Sequence, residues 1–310
     1  MKTISVAGEG CDRKGFKTVG GAALYRCHRK TQSGSKKLSG PGGENIGGNA
    51  VNVAEFLHRV EEEIPKNLAL DWDNVGLLVG DENRQVTKVY LALDATDEVI
   101  EHAIASGADL LLTHHPLIFS GMKQVVQQDF IGRRIIKLIE HKISYVAMHT
   151  NFDVQVMGEI AGRQLGLSHM EVLDVTIADK DKAKGIGCVA DVTAPITLCD
   201  LAKKCKSRFD ISSVKVFGDG QTELKRIAIS PGAGKSEVEV ALTSGADVLI
   251  TGDIDHHTGI DAVARGLSII DAGHYGIEHI FTSYMEAWIK MNFSDLQVVT
   301  EPDKEPFWVI

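Results

Sequence analysis

The chain has 310 residues, of which 44% are hydrophobic and 24% charged, and its net charge is −9. This acidic balance argues against nucleic acid as the main partner, and the apolar runs are too short to cross a membrane. Five cysteines without the short spacings of metal or redox motifs predict a cytoplasmic protein with reduced thiols rather than a disulfide framework.

The first 50 residues differ in composition from the rest of the chain. They carry nine Lys and Arg against three Asp and Glu, whereas the remaining residues carry 24 against 39. They are rich in Gly and Ser and lack both an amphipathic period and an apolar signal core. We predict a disordered basic leader over residues 1–50. An organellar transit peptide is a weaker alternative, because Glu9, Asp12 and Glu44 dilute that pattern.

Structured sequence begins near Asn52, a candidate N-cap for a helix that ends before Pro65. Asp73 and Asn74 then have the character of turn and cap residues, and a supporting role near a site is the alternative. The pattern becomes regular from residue 86, with predicted strands at 89–93, 109–113 and 143–148 and predicted helices at 98–106, 130–141 and about 157–167. This alternation with short connections is typical of βαβ units and a mostly parallel sheet.

The second half of the chain returns to the same pattern after a different segment. Residues 174–222 predict two strands around a helix that Thr197 caps, and they hold few residues of the kinds found in active sites. The elements predicted next are strands at 226–230, 247–251 and 267–272 and helices at 237–244, around 261–265 and from 274 to 290. Short apolar runs at 296–299 and 307–310 end the chain.

An internal repeat accounts for this return. Residues 103–113 align without gaps to residues 241–251, and seven of the eleven positions are identical. Downstream, His149-x-x-x-Asp153 ends one predicted strand and His274-x-x-x-Glu278 ends its counterpart. Two copies at this distance indicate duplication rather than a solenoid. We therefore predict an α/β fold of two pseudo-symmetric α/β lobes, over residues 51–173 and 174–310, with a metal cleft between them.

The sequence Thr113-His114-His115-Pro116 ends a short apolar strand. Ligands of open α/β sheets bind at the carboxyl ends of the strands, which is where these two imidazoles lie. Adjacent strand residues point to opposite faces, so the pair can flank two ions, or meet one ion after a twist. Taken alone, the pair fits equally well an ordinary buried histidine beside an exposed one.

Duplicated lobes would bring the carboxyl ends of both sheets to one cleft. The candidate metal ligands at these strand ends are His114, His115, Asp153, His274 and Glu278. His274 and Glu278 are four residues apart and share one face of a helix, a spacing that fits two ligands of one site. Three imidazoles and two carboxylates suit Zn, Mn, Fe or Co, and a carboxylate can bridge two ions.

Other polar residues near the strand ends carry less weight. His149 is a better candidate for supporting a ligand than for being one, and Asp94 and Asp253 are placed to orient ligands or a water. The sequence Asp255-His256-His257 looks like the signature of phosphoesterases that use two Mn ions. We expect a decoy, because Asp253 or Asp255 explains it as a helix cap, although His257 can still line the cleft.

Five motifs together resemble one known family, the Nif-three-like proteins, also called GTP cyclohydrolase I type 2 homologues or YbgI/YqfO-like proteins. The resemblance runs in order from about Val51 to the C-terminus and leaves out the leader. Its motifs are Trp72-Asp73-Asn74-Val75-Gly76-Leu77, Thr113-His114-His115-Pro116-Leu117-Ile118-Phe119, His149-Thr150-Asn151-Phe152-Asp153, Thr251-Gly252-Asp253 and Gly273-His274-Tyr275-Gly276-Ile277-Glu278.

The resemblance implies two pseudo-symmetric α/β lobes, a dinuclear metal centre with two divalent ions in the cleft, and a ring-shaped homohexamer. The family's ligand set falls on the five candidate ligands given above, all of which this chain has. The segment 174–222 is too short for the extra domain that some members insert between the lobes, so the compact form is expected. Ser230-Pro231 stands where many members have Gly, a small departure.

The resemblance favours a metal-dependent hydrolase of the GTP cyclohydrolase I type 2 kind. Two bridged ions would lower the pKa of a shared water, which for a purine nucleotide would attack the imidazole ring carbon. The sequence itself shows neither a guanine pocket nor a phosphate loop. A metal-dependent nucleotide phosphoesterase is the close chemical alternative. A non-catalytic hexameric metal-binding scaffold or regulatory protein is the alternative from a different class, because fold and metal site do not by themselves decide function.

Overall fold

The computed structural model describes residues 51–178 and 183–310, and the predicted leader over residues 1–50 lies outside them. The strands in these ranges are β1 (Val51–Asn52), β2 (Gly76–Val79), β3 (Gln85–Val86), β4 (Lys88–Ala92), β5 (Leu110–Thr113), β6 (Ser144–Ala147), β7 (Glu171–Ile177), β8 (Lys184–Thr197), β9 (Lys215–Phe217), β10 (Glu223–Ala233), β11 (Val248–Gly252), β12 (Ser268–Asp271) and β13 (Gln297–Thr300).

Ten α-helical segments lie in the same ranges: α1 (Val53–Glu63), α2 (Asp97–Ser106), α3 (Phe130–Glu140), α4 (Thr150–Phe152), α5 (Gly158–Gln164), α6 (Leu198–Arg208), α7 (Glu237–Thr243), α8 (His256–Ala264), α9 (His274–Glu278) and α10 (Ile280–Asn292). A 3₁₀ turn, Lys66–Leu68, follows α1, and a π-helical turn, Asp153–Met157, joins α4 to α5. None of the helices described here is long and apolar enough to cross a membrane.

The strands form two large sheets with the same central arrangement. The first has the order β13-β4-β5-β6-β2, in which β2 is antiparallel and the other four strands are parallel. The second has the order β7-β8-β10-β11-β12-β9, in which β10, β11 and β12 are parallel. In each sheet three consecutive parallel strands are followed by an antiparallel strand that precedes them in the chain. The fold is therefore two-lobed α/β, as predicted.

The repeated Ser-Gly-Ala-Asp sequence has the same structural role in both lobes. Gly107 and Gly245 follow α2 and α7 with φ of 68° and 74°, a left-handed conformation that favours glycine at a helix end. The carboxylates of Asp109 and Asp247 accept hydrogen bonds from backbone N–H groups at or near the start of the preceding strand, including those of Lys88 and Arg226. These shared contacts explain why the repeat kept these residues.

Both sheets are covered on two faces, so their central strands are apolar throughout. Leu110 and Leu112 of β5 point into a core shared by the two lobes, whereas Leu111 points to the outer layer formed with α2 and α3. The second lobe repeats this alternation in β11, where Val248 and Ile250 face the shared core and Leu249 the outer layer. The cleft therefore lies between lobes that already share one core.

Most predicted elements agree with the structure, including the caps of α1 and α6. Asn52 accepts a hydrogen bond from the N–H of Glu55, and Thr197 accepts one from the N–H of Asp200. The helix predicted from residue 157 instead begins at Thr150 and runs through the π-helical turn to Gln164. We call this continuous segment the 150–164 helix.

The boundary between lobes at residues 173 and 174 stays a prediction. Two strands lie wholly or partly on the other side of this predicted boundary from the rest of their sheet. Strand β7 begins at Glu171 and belongs to the second sheet, and β13, although C-terminal, pairs with β4 in the first sheet. The segment 174–222 contributes most of β7 together with β8, α6 and β9. The apolar run at 307–310 forms no helix or strand and is exposed.

Candidate metal centre

The strand alternation of β5 continues into the two histidines that follow it. His114 is fully buried at the edge of the shared core, where its ring packs against Phe152 and Phe281. Its Nδ1 donates a hydrogen bond of 2.7 Å to the carbonyl of Met148, which leaves Nε2 as the free nitrogen. His115 points to the other side, with its ring centroid 4.9 Å from that of His114.

A first group of donor atoms surrounds His114 Nε2. This nitrogen lies 3.4 Å from Asp153 Oδ1 and 3.7 Å from Glu278 Oε1. Among the described residues neither His114 Nε2 nor Asp153 Oδ1 has a hydrogen-bond partner, although both atoms are buried. Tetrahedral ligands about 2.1 Å from an ion lie about 3.4 Å apart. The unsatisfied atoms and their spacing therefore fit a metal ion, and the three residues form a group that can hold one.

A second group adjoins the first. The Nε2 atoms of His115 and His274 lie 2.9 and 3.0 Å from Glu278 Oε2, and 3.2 Å from each other. His274 and Glu278 begin and end the single turn of α9, so their spacing of four residues places both side chains on one face. These three residues also form a group that can hold a metal ion.

The carboxylate of Glu278 belongs to both groups. Its Oε1 faces His114, and its Oε2 faces His115 and His274. The side chain is almost fully buried, which opposes a negative charge, but the surrounding imidazoles hold the pKa of Glu278 well below its ordinary value. Burial, followed by the charge of Glu278, raises the pKa of Asp153 to about 8. Two buried carboxylates this close together favour the binding of a cation, which compensates their negative charges.

Two further aspartates orient the rings of the second group. Asp94 Oδ1 accepts a hydrogen bond of 2.8 Å from His115 Nδ1, and Asp253 Oδ2 accepts one of 2.9 Å from His274 Nδ1. Each bond fixes its ring so that Nε2 faces Glu278, an arrangement common around metal-binding histidines. Burial opposes charge on His115, but its two carboxylate partners outweigh burial and raise its pKa to about 10. The bond to Glu278 raises the pKa of His274 to about 9.

His149 adds a fourth imidazole to the cleft, beside those of His114, His115 and His274. One of its ring nitrogens lies within 4.8 Å of ring nitrogens of His114 and His115, so these three histidines form another group able to hold an ion. Its Nδ1 bonds to the buried carboxylate of Asp73 at 2.9 Å. Burial opposes the charge of Asp73, but hydrogen bonds from His149 and Thr150 lower its pKa to about 2. Asp73 thus supports the cleft, which was the alternative to its role as a turn and cap residue.

The family model for DUF34/NIF3 (NGG1p interacting factor 3) matches residues 51–306. This chain belongs to the DUF34/NIF3 family. A Clostridium perfringens relative named GTP cyclohydrolase 1 type 2 homolog is 35% identical over 265 residues, which cover 83% of this chain and 99% of the relative. The family model begins at residue 51, which is where the resemblance of the motifs also begins.

Solved structures of family members share the fold. A Staphylococcus aureus hypothetical protein is 31% identical, with a TM-score of 0.76 over 84% of this chain and 100% of that one. Reduced HcgD from Methanocaldococcus jannaschii is 25% identical, with a TM-score of 0.71 over 82% of this chain and 98% of that one. The likeness covers both lobes of the DUF34/NIF3 chain.

The structure brings together all five residues that the sequence put forward as ligands, in the two groups described above. It also gives Asp94 and Asp253 the orienting positions expected of them. In the sequence Asp255-His256-His257, Asp255 caps α8 by accepting a hydrogen bond from the N–H of Thr258. Both histidines beside it are exposed and lie in none of the groups able to hold an ion among the described residues. The motif is therefore a helix cap in this DUF34/NIF3 chain.

Proposed function

We propose that this protein is a metal-dependent hydrolase that holds two divalent ions per chain and acts on a purine nucleotide. The observation that carries the proposal is the carboxylate of Glu278, which presents one oxygen to each of two adjacent groups of donors. The name shared by its relatives, GTP cyclohydrolase 1 type 2 homolog, supports a nucleotide as the substrate.

The five residues His114, His115, Asp153, His274 and Glu278 would hold the ions. Imidazole and carboxylate donors suit Zn, Mn, Fe or Co. When bound, a pair of such ions polarises a substrate oxygen and lowers the pKa of a water. In a cyclohydrolase reaction on a purine nucleotide, the bonds that break belong to the imidazole ring of the base.

The surrounding residues prepare the cleft for this role. Asp94 and Asp253 fix the rings of His115 and His274, so little reorganisation is needed when the second group is filled. His149, held by Asp73, presents a further imidazole toward the same space. Among the described residues, the ion pairs of the buried Asp153 and Glu278 carboxylates are with histidines rather than with Lys or Arg, which favours cations over anions at this position.

The assembly and cellular location belong to the same proposal. The family resemblance supports a homohexamer, which light scattering of the purified chain would measure directly. The three cysteines of the described residues, Cys188, Cys199 and Cys205, are free thiols, which supports the reducing cytosol.

The test is turnover by the full chain after loading with Mn or Zn. We expect GTP to lose the ultraviolet absorption of its intact imidazole ring, and we expect a chelator to stop the change. Release of inorganic phosphate, followed in parallel, would instead identify a phosphoesterase.

Two variants make this test specific. Glu278→Gln removes the shared charge and should abolish turnover, whereas His257→Ala, an exposed histidine outside both groups, should leave it unchanged. A fully loaded protein that alters neither the base nor the phosphates of GTP would contradict the hydrolase and favour the scaffold.

A further inference from the structure

Two large aromatic side chains next to the candidate metal centre are exposed. Trp72 is 56% and Phe119 is 55% exposed. Their ring centroids lie 5.6 Å apart at an angle of 45°, so they form one surface, which we call the Trp72–Phe119 pair. Large aromatic rings are usually well covered in a folded chain, and an exposed contiguous pair marks a place where something binds.

The ring of His149 connects the Trp72–Phe119 pair to both groups of metal donors, because it lies close to the pair and to one histidine of each group. The ring of His149 lies 5.8 Å from Trp72 and 6.4 Å from Phe119. The centroid of the same ring lies 5.2 Å from that of His114 and 5.6 Å from that of His115. A molecule that covers the pair therefore reaches toward the cleft.

Hydrogen bonds beneath the two rings hold their loops together. The side-chain amide of Asn74 donates to the carbonyl of Ile118 at 2.6 Å, which joins the loop of Trp72 to that of Phe119. Asp73 anchors the first loop from below, because its buried carboxylate accepts hydrogen bonds from the N–H of Thr150 and from His149. The rings are thus positioned before any ligand arrives, which lowers the cost of binding.

We propose that the Trp72–Phe119 pair is the stacking surface for the base of the nucleotide substrate. This inference rests on the function proposed above and names the part of the site that recognises a purine. Flat, exposed indole and phenyl rings recognise planar heteroaromatic rings by stacking, whereas a sugar phosphate offers them no such face. A base stacked here has its edge directed to His149 and to the two donor groups behind it.

Tryptophan fluorescence tests the stacking directly. The chain has three tryptophans, of which Trp288 is 8% exposed and Trp308 is 80% exposed. In Trp308→Phe protein, Trp72 is the exposed tryptophan that remains. We expect guanosine 5′-monophosphate to quench its emission and ribose 5-phosphate to leave the emission unchanged. Equal effects of the two compounds, or no effect of either, would overturn the proposal.

Affinity measurements supply the second arm. Trp72→Ala and Phe119→Ala should each weaken binding of guanosine 5′-monophosphate to metal-loaded protein by roughly tenfold or more. Binding of ribose 5-phosphate should stay as in the natural chain. Trp308→Ala removes an equally bulky exposed ring elsewhere and should change neither affinity. Unchanged nucleotide affinity in Trp72→Ala would overturn the proposal.

The remaining outcomes separate this inference from the proposed function. A smaller assembly in Trp72→Ala or Phe119→Ala, measured by light scattering, would show that a second copy of the chain covers the pair and would overturn the proposal. Selective loss of nucleotide binding in these variants, in a protein that turns over no nucleotide, would support the stacking surface and contradict only the hydrolase.

Discussion

The backbone at Gly232 runs directly against the carboxylate that the two donor groups share. Its φ is 84°, a conformation that residues with a side chain rarely adopt. A Cβ added there would lie 2.7 Å from Glu278 Oε1, too close for an ordinary contact. Gly245 has a similar φ of 74°, yet a Cβ added there would meet no atom within 4 Å. Comparison of the two glycines therefore separates the effect of backbone strain, which both positions share, from the effect of crowding against Glu278, which occurs at Gly232 and not at Gly245.

We predict that Gly232→Ala and Gly245→Ala each lower the free energy of unfolding by about 1–2 kcal/mol, because both place a side chain at positive φ. Only Gly232→Ala should also lower the affinity for divalent metal, because Glu278 has to move away from the new methyl group. Urea unfolding and metal titration of both variants check this. Equal metal affinity in the two variants would contradict the position assigned to Glu278.

At the scale of elements, the 150–164 helix shows most clearly what sequence could not predict. Its first N–H is satisfied by Asp73, which lies 77 residues earlier in the chain. Local capping rules examine only the residues next to a helix, so the sequence suggested a start near residue 157. Asp73 also binds His149, so of the two roles open to it from the sequence, turn residue or support near a site, the structure shows the supporting one.

We predict that Asp73→Ala lowers the free energy of unfolding by about 3 kcal/mol, because buried donors lose a charged acceptor. It should also weaken metal binding, since His149 and the start of the helix that carries Asp153 lose their anchor. The comparison is Asp129→Ala, which removes only the cap of α3, where Asp129 accepts a hydrogen bond from the N–H of Gly132. That variant should cost about 1 kcal/mol and leave metal binding intact. Identical behaviour of the two variants would contradict the special role of Asp73.

At the scale of the whole molecule, the duplication could be recognised in the sequence because the repeated residues make local structural contacts. Gly107 and Gly245 end helices, and Asp109 and Asp247 bind backbone N–H groups near the starts of neighbouring strands, so each copy kept them. The two histidines that follow β5 could be interpreted for a related reason, because the alternation of the strand continues into them and sends their side chains to opposite sides. The pairing of β13 with β4 in the first sheet could not be predicted, because the residues of an edge strand do not identify the distant strand with which it pairs.

Buried thiol and phenol side chains also determine how the molecule responds to alkali. Burial raises the pKa values of Cys188, Cys205 and Tyr145 to about 12, above the ordinary 9.0 of cysteine and 10.0 of tyrosine. Above pH 9 the unfolded chain therefore releases protons that the native chain keeps. Stability from these groups is complete below pH 9 and is lost as the pH rises toward 12.

We predict that the free energy of unfolding falls between pH 9 and pH 11, by up to about 1.4 kcal/mol per pH unit for each titrating group. Urea unfolding at a series of pH values measures the slope, which Cys205→Ala should reduce by the share of one group. A free energy of unfolding that is constant from pH 8 to pH 11 would contradict the burial of these groups.

Two adjacent metal positions that share the carboxylate of Glu278 predict a definite metal content for the full chain. After loading and dialysis, mass spectrometry of the metal should give two divalent ions per chain. His114→Ala and His274→Ala should each retain one ion, because they remove a donor from different groups, and Glu278→Gln should retain neither firmly. A natural chain that holds no ion, or Glu278→Gln protein that still holds two, would contradict the shared metal site.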